Sequence, residues 1–512
     1  MGILSWLILI PFLTALAVIC TPDPKKIRWV ALLGTGIHLI VTAIATVLYW
    51  QLSQSVSDPK SLLTQLQLTE KLPWFESMGI QYFLGVDGIS MVMVVLTSII
   101  IFTGVLASWN VETRVREFFS LLLILVTGVF GVFLSFDLFV FFMFYEVAVL
   151  PMYLLIGIWG TGPKEYSAMK LTLMLMLGSA LLLVGFLALY HGSGLHTFDF
   201  TQIAKVQFPA SFQAWVFPTI FIGFGILGAL YPFHTWSPDG HASAPTAVSM
   251  LHAGVLMKMG GYGALRVAVY LLPEGAKQWG LFFMGLATIN ILYGAFGAIR
   301  QKDLKFFTAY SSVSHCGMVL FGVASLNMLG FKGAVYQMFS HGIMTGLFFS
   351  LIGMVYGRTH TRIIGDMGGL AKVMPWLAAC FYIGGFASLG LPGLAGFIAE
   401  SHIFLGGFFG NDWSNITTMR ILTILATMSI VVTAVYVLRG LGSAFLGPIT
   451  DHHFQGLTDA KISEKFCTGI LVLALLVAGV FPSLMAQMVE GSLFPILNRL
   501  HGVGALTAVT GF

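Results

Sequence analysis

Apolar residues run along the chain in blocks of about twenty, separated by short polar connections, from one end to the other. Each block is long enough to cross a hydrocarbon core of roughly 30 Å as a helix. A transmembrane barrel would alternate apolar and polar positions in segments of about ten, and the continuous runs contradict that pattern. The predicted fold class is therefore an all-α polytopic membrane protein of about fourteen transmembrane helices. The spans cover residues 3–20, 29–50, 80–108, 118–135, 137–160, 168–190, 214–235, 244–271, 279–298, 304–325, 332–356, 373–405, 418–445 and 466–490. Connections are short except around 51–78, 191–213 and 446–465, so residues 1–512 read as a single membrane domain.

Two spans are interrupted. The seventh ends in F-G-I-L-G-A-L-Y-P-F-H, where Pro232 follows Gly225 and Gly228, and the twelfth contains S-L-G-L-P-G-L-A-G-F around Pro392. Proline removes a helix donor and crowds the preceding turn, which is tolerated at membrane depth only where protein or water satisfies the freed backbone. A packing kink would account for either break alone. The two together, five spans apart, predict two inverted five-helix repeats, as in many transporters. Helices 1–3 then occupy residues 1–110, helices 4–8 form a first repeat over 118–271, helices 9–13 a second over 279–445, and helix 14 covers 466–490.

Composition sharpens this picture. The chain is 57% hydrophobic and 9% charged with a mean hydropathy of +0.91, which excludes a soluble fold of this length. Assigning loops alternately to the two sides puts about fifteen Lys and Arg on one side against about seven on the other. The richer side carries Lys25, Arg114, Arg300, Lys302, Arg358 and Arg362 and is predicted to be cytoplasmic. The expected location is a bacterial inner (plasma) membrane, with both termini on the opposite side. The first run has neither a basic leader nor a small-residue cleavage pattern and reads as a retained helix. A net charge of +4 argues against nucleic acid as a partner, and lipid is the implied surrounding. Cys20, Cys316, Cys380 and Cys467 lie far apart without CxxC spacing, so no metal centre or cluster is expected.

An ionisable group at the middle of a membrane helix costs on the order of 2.5 to 3.5 kcal/mol on insertion scales, so each needs a partner or a function. Glu146 in F-F-M-F-Y-E-V-A-V-L-P-M-Y, Lys258 in A-G-V-L-M-K-M-G-G-Y-G and Glu400 in G-F-I-A-E-S-H meet that description. A static ion pair, or a lysine reaching to the interface, is the plainer alternative. His315 and His341 fall near the middle of consecutive spans. Imidazole both accepts and donates, with an ordinary pKa near 6.5, so it passes protons between a lysine and a carboxylate at low cost. Either histidine alone reads equally well as a packing residue. Acid, base and imidazole together favour a proton relay. His234, His241 and Asp239 belong to P-F-H-T-W-S-P-D-G-H-A-S-A-P-T and mark either a site of proton uptake or the cap of the broken helix. His252 stands six residues before Lys258, about 120° away around the helix, and reads as a packing residue.

At this string the chain resembles a known family. P-x-H-x-W-x-P-D-x-H-x-x-A-P-T followed by A-G-V-L-M-K-M-G-G-Y-G is similar to the signature of the antiporter-like subunits of complex I, the NADH:quinone oxidoreductase, and of the related Mrp-type antiporters. The likeness covers most of the chain, including V-D-G-I-S-M around Asp87, D-L-K-F-F-T-A-Y-S-S-V-S-H and L-G-L-P-G-L-A-G-F. Glutamate at position 400 favours the M-type chain, since the others usually carry lysine there. The resemblance implies a proton-translocating subunit of the membrane arm of a respiratory or photosynthetic complex, with electrons supplied by NADH or ferredoxin and passed to quinone. It implies neighbouring antiporter-like chains as partners. No cofactor is implied in this chain, with NAD, FMN, iron-sulfur clusters and quinone held by other subunits. Glu146, Lys258, His315, His341 and Glu400 would be its relay, and Lys170 and Asp137 also stand in matching strings. One departure stands out. The family usually has a lysine in the seventh helix where this chain has Leu227, and a proline where it has Ala229. Either another cation then pairs with Glu146, or its carboxyl carries a proton. The alternatives are an Mrp-type cation/proton antiporter subunit and a non-pumping structural subunit of complex I.

Overall fold

Twelve helices of the structure, a computed structural model that describes residues 2–54, 62–410 and 416–501, are long and apolar enough to cross a membrane. Two segmented crossings complete the predicted number. The eighth is built from Thr246–Leu251, Met257–Gly263 and two π-helical turns, His252–Leu256 and Ala264–Val269. The twelfth is split into Pro375–Ser388 and Ala395–Phe409. The eleventh span, Met328–Thr359, is 94% buried over its apolar window, whereas the second, Pro24–Ser53, is 28% buried. The eleventh is thus a central post and the second lies on the outside of the bundle.

Two predicted spans need correction. The third begins not at residue 80 but with Gly88–Ala107, because residues before it form a hairpin of β1, Gln67–Phe75, and β2, Ile80–Val86. Gly79, at φ +64°, closes the turn, and the hairpin is tied to the loops beside it by Phe136 N–H to Phe83 O at 2.8 Å. The all-α reading is therefore amended by one hairpin at the end of the bundle that holds the N-terminus. The last span, predicted over 466–490, divides at Pro482 into Ile462–Val480 and Pro482–His501. Pro482 has no N–H to continue the helix, and the segment after it carries Glu490 and Arg499, which do not suit the bilayer core. It lies across the ends of other spans instead. Tyr336 donates to Pro482 O, Lys332 pairs with Glu490 at 2.9 Å, and Arg499 donates to Val206 O at 3.2 Å.

The breaks of the seventh and twelfth spans are the same structure. Ala210–Leu227 ends with Gly228 N–H to Phe224 O, Ala229 N–H to Ile226 O and Leu230 N–H to Gly225 O. Pro375–Ser388 ends with Leu389 N–H to Gly385 O, Gly390 N–H to Ala387 O and Leu391 N–H to Phe386 O. Each is a Schellman-type cap around a left-handed residue, Ala229 at φ +55° and Gly390 at φ +64°, 161 positions apart. The fifth and tenth spans also start alike. Asp137 accepts from Phe139 N–H and Val140 N–H while Leu138 N–H reaches Phe198 O; Asp303 accepts from Lys305 N–H and Phe306 N–H while Leu304 N–H reaches Arg362 O. The first of these starts lies at the hairpin end, beside Gln81, and the second at the opposite, basic end. Repeated local bonding with reversed direction is what an inverted repeat requires.

The third and eighth spans are joined by an ion pair between Asp87 and Arg266, which are 0% and 3% exposed. Asp87 also caps its own helix by accepting from Ser90 N–H at 3.0 Å. Breaking a buried pair from one side leaves the other charge uncompensated at about 3 to 5 kcal/mol, whereas replacing both with apolar residues is near neutral. Arg266→Leu is accordingly expected to lower the thermal midpoint of the purified protein strongly, and Asp87→Leu/Arg266→Leu to recover most of the loss. Ala229 holds a left-handed conformation that costs an L-residue roughly 1 to 2 kcal/mol. Ala229→Gly is expected to raise the same midpoint, by an amount equivalent to about 1 kcal/mol; an unchanged or lower midpoint would remove strain at the break from the account.

Candidate functional site

Lys258 sits in the middle segment of the eighth span, flanked by the two π turns, and is 1% exposed. Such turns inside α-helices are frequent at functional sites because they redirect backbone groups. Here one does so: Lys258 Nζ donates to Ala253 O, a carbonyl of the first π turn. The glycines after Lys258 let the neighbouring break come close, since a Cβ at Gly260 would lie 2.5 Å from Gly228 N.

The second bond of Lys258 starts a buried row. Its Nζ lies 2.6 Å from His341 Nδ1 on the eleventh span. The His341 ring stacks on that of His315 from the tenth span, with centroids 5.1 Å apart. His315 Nδ1 is 3.8 Å from Glu400 Oε1 in the second half of the broken twelfth span. His315, His341 and Glu400 are 1%, 1% and 5% exposed. His315 Nε2 is 3.0 Å from Ser388 Oγ, at the end of the helix segment before the break, and Gln337 Nε2 is 2.9 Å from His315 Nδ1. The row therefore joins the eighth, eleventh, tenth and twelfth spans.

Its chemistry follows from the donor and acceptor inventory. Lys258 as an ammonium donates to His341 Nδ1, so a proton entering that nitrogen can leave from His341 Nε2, which has no partner among the described residues. His341 and His315 share no hydrogen bond and His315 Nδ1 is too far from Glu400 for one, so transfer along the row requires a bridging water or a ring rotation at each gap. Gln337 sets the tautomer of His315. With its amide N–H donating to Nδ1, the ring proton is on Nε2 facing Ser388, and a flip would present Oε1, otherwise unpartnered, to an Nδ1 proton facing Glu400. The break makes room for the acid, because a Cβ at Gly390 would stand 2.6 Å from Glu400 Oε2.

The other residues singled out in the sequence do not join this row. Glu146 is half-buried on a face it shares with the exposed Leu150 and Leu154, and it makes no hydrogen bond or ion pair with any described residue. Leu227 is fully buried. Asp239, which stands 161 positions before Glu400, pairs with Lys170 at 2.7 Å, both side chains about a quarter exposed. His234 lies against Tyr293, ring centroids 4.6 Å apart, and does not meet His241 in a common site. His241 instead turns inward, and its ring packs against that of His252, centroids 4.1 Å apart. Gln337 and Ser388 were missed by sequence reasoning. Gln337 carried a usable signal, standing four positions before His341 on one helix face; Ser388 did not, because its place is set by the break. Among the described residues no three His, Cys, Asp or Glu gather in a way that could hold a metal ion.

The family described as NADH:quinone oxidoreductase/Mrp antiporter, TM, matches residues 135–439. NAD(P)H-quinone oxidoreductase chain 4 3 of Picosynechococcus sp. is 36% identical over 518 residues, covering 95% of this chain and 92% of the relative. A chain of respiratory complex I from Thermus thermophilus with bound NADH is 28% identical with a TM-score of 0.87, covering 98% of this chain and 100% of that one. A chain of the Mrp complex from Dietzia sp. shares the fold at 19% identity, with a TM-score of 0.78 over 99% of both chains.

Proposed function

Since the chain belongs to the NADH:quinone oxidoreductase/Mrp antiporter transmembrane family, we propose that it is a proton-translocating membrane-arm subunit of a complex I-type enzyme. It is an integral, multi-pass membrane protein that works among other membrane-arm subunits. The translocated proton passes along Lys258, His341, His315 and Glu400. The observation that carries this reading is that buried row. Four ionisable side chains are desolvated together in the bundle interior, and the carboxylate lies beyond a helix break whose glycine leaves space for it.

The step assigned to this chain is proton transfer alone. Lys258 passes a proton to His341 Nδ1, a bridging water or a ring rotation carries it from His341 to His315 and from His315 to Glu400, and Glu400 takes it up on the far side of the twelfth-span break. The redox groups and the quinone are carried by other subunits of the enzyme. Glu146, on an outward face without a described partner, is available to a neighbouring chain rather than to the row. Among solved structures, identity of 28% over 98% of the chain to a complex I chain, against 19% over 99% to the Mrp chain, favours a redox-driven complex over a cation/proton antiporter.

The test uses the assembled complex in proteoliposomes. Lys258→Met and Glu400→Gln are each expected to leave assembly intact while lowering proton uptake and the coupled quinone reduction by about a hundredfold or more, the range of a lost acid or base. An assembled Lys258→Met complex with native rate and native proton yield would exclude the relay.

A further inference from the structure

As the side chains stand, the direct line from His315 to Glu400 is closed. Gln337 Nε2–H donates to His315 Nδ1, so the ring nitrogen 3.8 Å from the carboxylate carries no proton. The ring proton is on Nε2, which donates to Ser388 Oγ at 3.0 Å. A serine hydroxyl that accepts in this way keeps its own O–H free to donate onward. The next hydroxyl lies on the thirteenth span, Ile416–Phe445, a helix outside the row.

Ser429, Thr433 and Tyr436 recur at helical spacing on one face of that span and are 0%, 2% and 2% exposed. None of their hydroxyls has a hydrogen-bond partner among the described residues. Thr423 and Thr427 of the same helix behave differently, each donating to a carbonyl of the preceding turn as buried hydroxyls in helices commonly do. The inward hydroxyls are thus left for partners off the helix. Buried groups of this kind are costly, and three on one face mark a place where water completes their bonding. Tyr436 is the member that reaches the row. Ser388, Ser311 and Thr433 stand beside its hydroxyl, and Glu400 is within its electrostatic reach. Its ring is held from the other side by Phe307, centroids 5.2 Å apart and nearly perpendicular.

We propose that Ser388 and Tyr436 carry the proton from His315 to Glu400, along a hydroxyl path that bypasses the direct line between ring and carboxylate. This rests on the relay reading above. A proton arriving at His315 Nδ1 displaces the Gln337 amide and makes the ring an imidazolium. The N–H bond on Nε2 then breaks and an O–H bond forms on Ser388, leaving the neutral ring with its proton on Nδ1, where Gln337 Oε1 can accept it. The proton that Ser388 already held passes through a bridging water to Tyr436 Oη, and the phenol proton passes on to the Glu400 carboxylate. Each hydroxyl ends with as many protons as it began with, so neither residue has to ionise. Imidazole suits its place because it takes the proton at one nitrogen and gives it up at the other without rotating.

The experiment compares Tyr436→Phe, Ser388→Ala, the two combined and Lys258→Met in the intact complex in proteoliposomes, with assembly checked by subunit content. Phenylalanine keeps the ring against Phe307 and removes only the hydroxyl. Each single change is expected to lower proton uptake by about a hundredfold. The double variant is expected to lose no more than either alone, because two links of one path fail together. Native uptake in Tyr436→Phe would overturn the proposal and leave Tyr436 a packing ring. A double variant whose loss is the product of the two single losses would overturn it too, since independent damage to packing gives that result. Lys258→Met separates the two readings: if it also pumps normally the relay itself fails, and if it alone is impaired only the hydroxyl path fails.

Discussion

A helix can be broken at the depth of a bilayer only if the amides and carbonyls it releases find partners within the protein. Everything particular to this molecule follows from how that constraint is met twice. The seventh and twelfth spans end in the same cap, with an amide reaching back across the turn to Gly225 O in one and Phe386 O in the other. Because the cap closes the first half of each span with internal bonds, the second half can restart at another angle and carry polar side chains inward. Glu400 is such a side chain, and Asp239, at the equivalent position after the first break, lies part-exposed beside Lys170.

The two repeats are alike in backbone and unlike in chemistry. After the second break the left-handed residue is Gly390, whose missing Cβ leaves space for a buried Glu400, and Ser388 before it bonds His315. Before the first break the position equivalent to Ser388 is Leu227, the left-handed residue is Ala229, and the equivalent acid Asp239 lies part-exposed with Lys170. The desolvated row is therefore assembled almost wholly from the second repeat, with Lys258 as the one contribution of the first. Burial of Lys258 is supported by its π-turn carbonyl and His341 rather than by a carboxylate, which keeps its proton transferable: a buried lysine locked to an acid would be a static pair.

Much of this was legible in the residues. Length and apolar period located the spans, because in lipid the spanning unit has few alternatives, and the two prolines located the breaks. Lys258, His315, His341 and Glu400 were recognisable because each is expensive where it stands. What escaped was whatever depends on tertiary contacts. The hairpin strand Ile80–Val86 is as apolar as a helix start and reads as one, since its pairing with Gln67–Phe75 leaves no local mark. The division at Pro482 and the two π turns are backbone events that a window of hydropathy averages away. His252 was placed by its angle to Lys258 on the eighth span, whereas its ring contacts, Trp236 and His241, lie on the second half of the broken seventh. Glu146 was grouped with the row by its chemistry and by the family resemblance, and its half-buried side chain shares a face with the exposed Leu150 and Leu154.

The central claim is that protons cross this subunit through the stacked imidazoles between Lys258 and Glu400, and His341 is the one member that touches both the lysine and the next ring. The most direct measurement is the number of protons moved per electron pair by the assembled complex carrying His341→Phe, which keeps a ring in the stack and removes the nitrogen facing Lys258. The account predicts a lower proton yield from a complex that still contains the subunit; an unchanged yield per electron pair would contradict it.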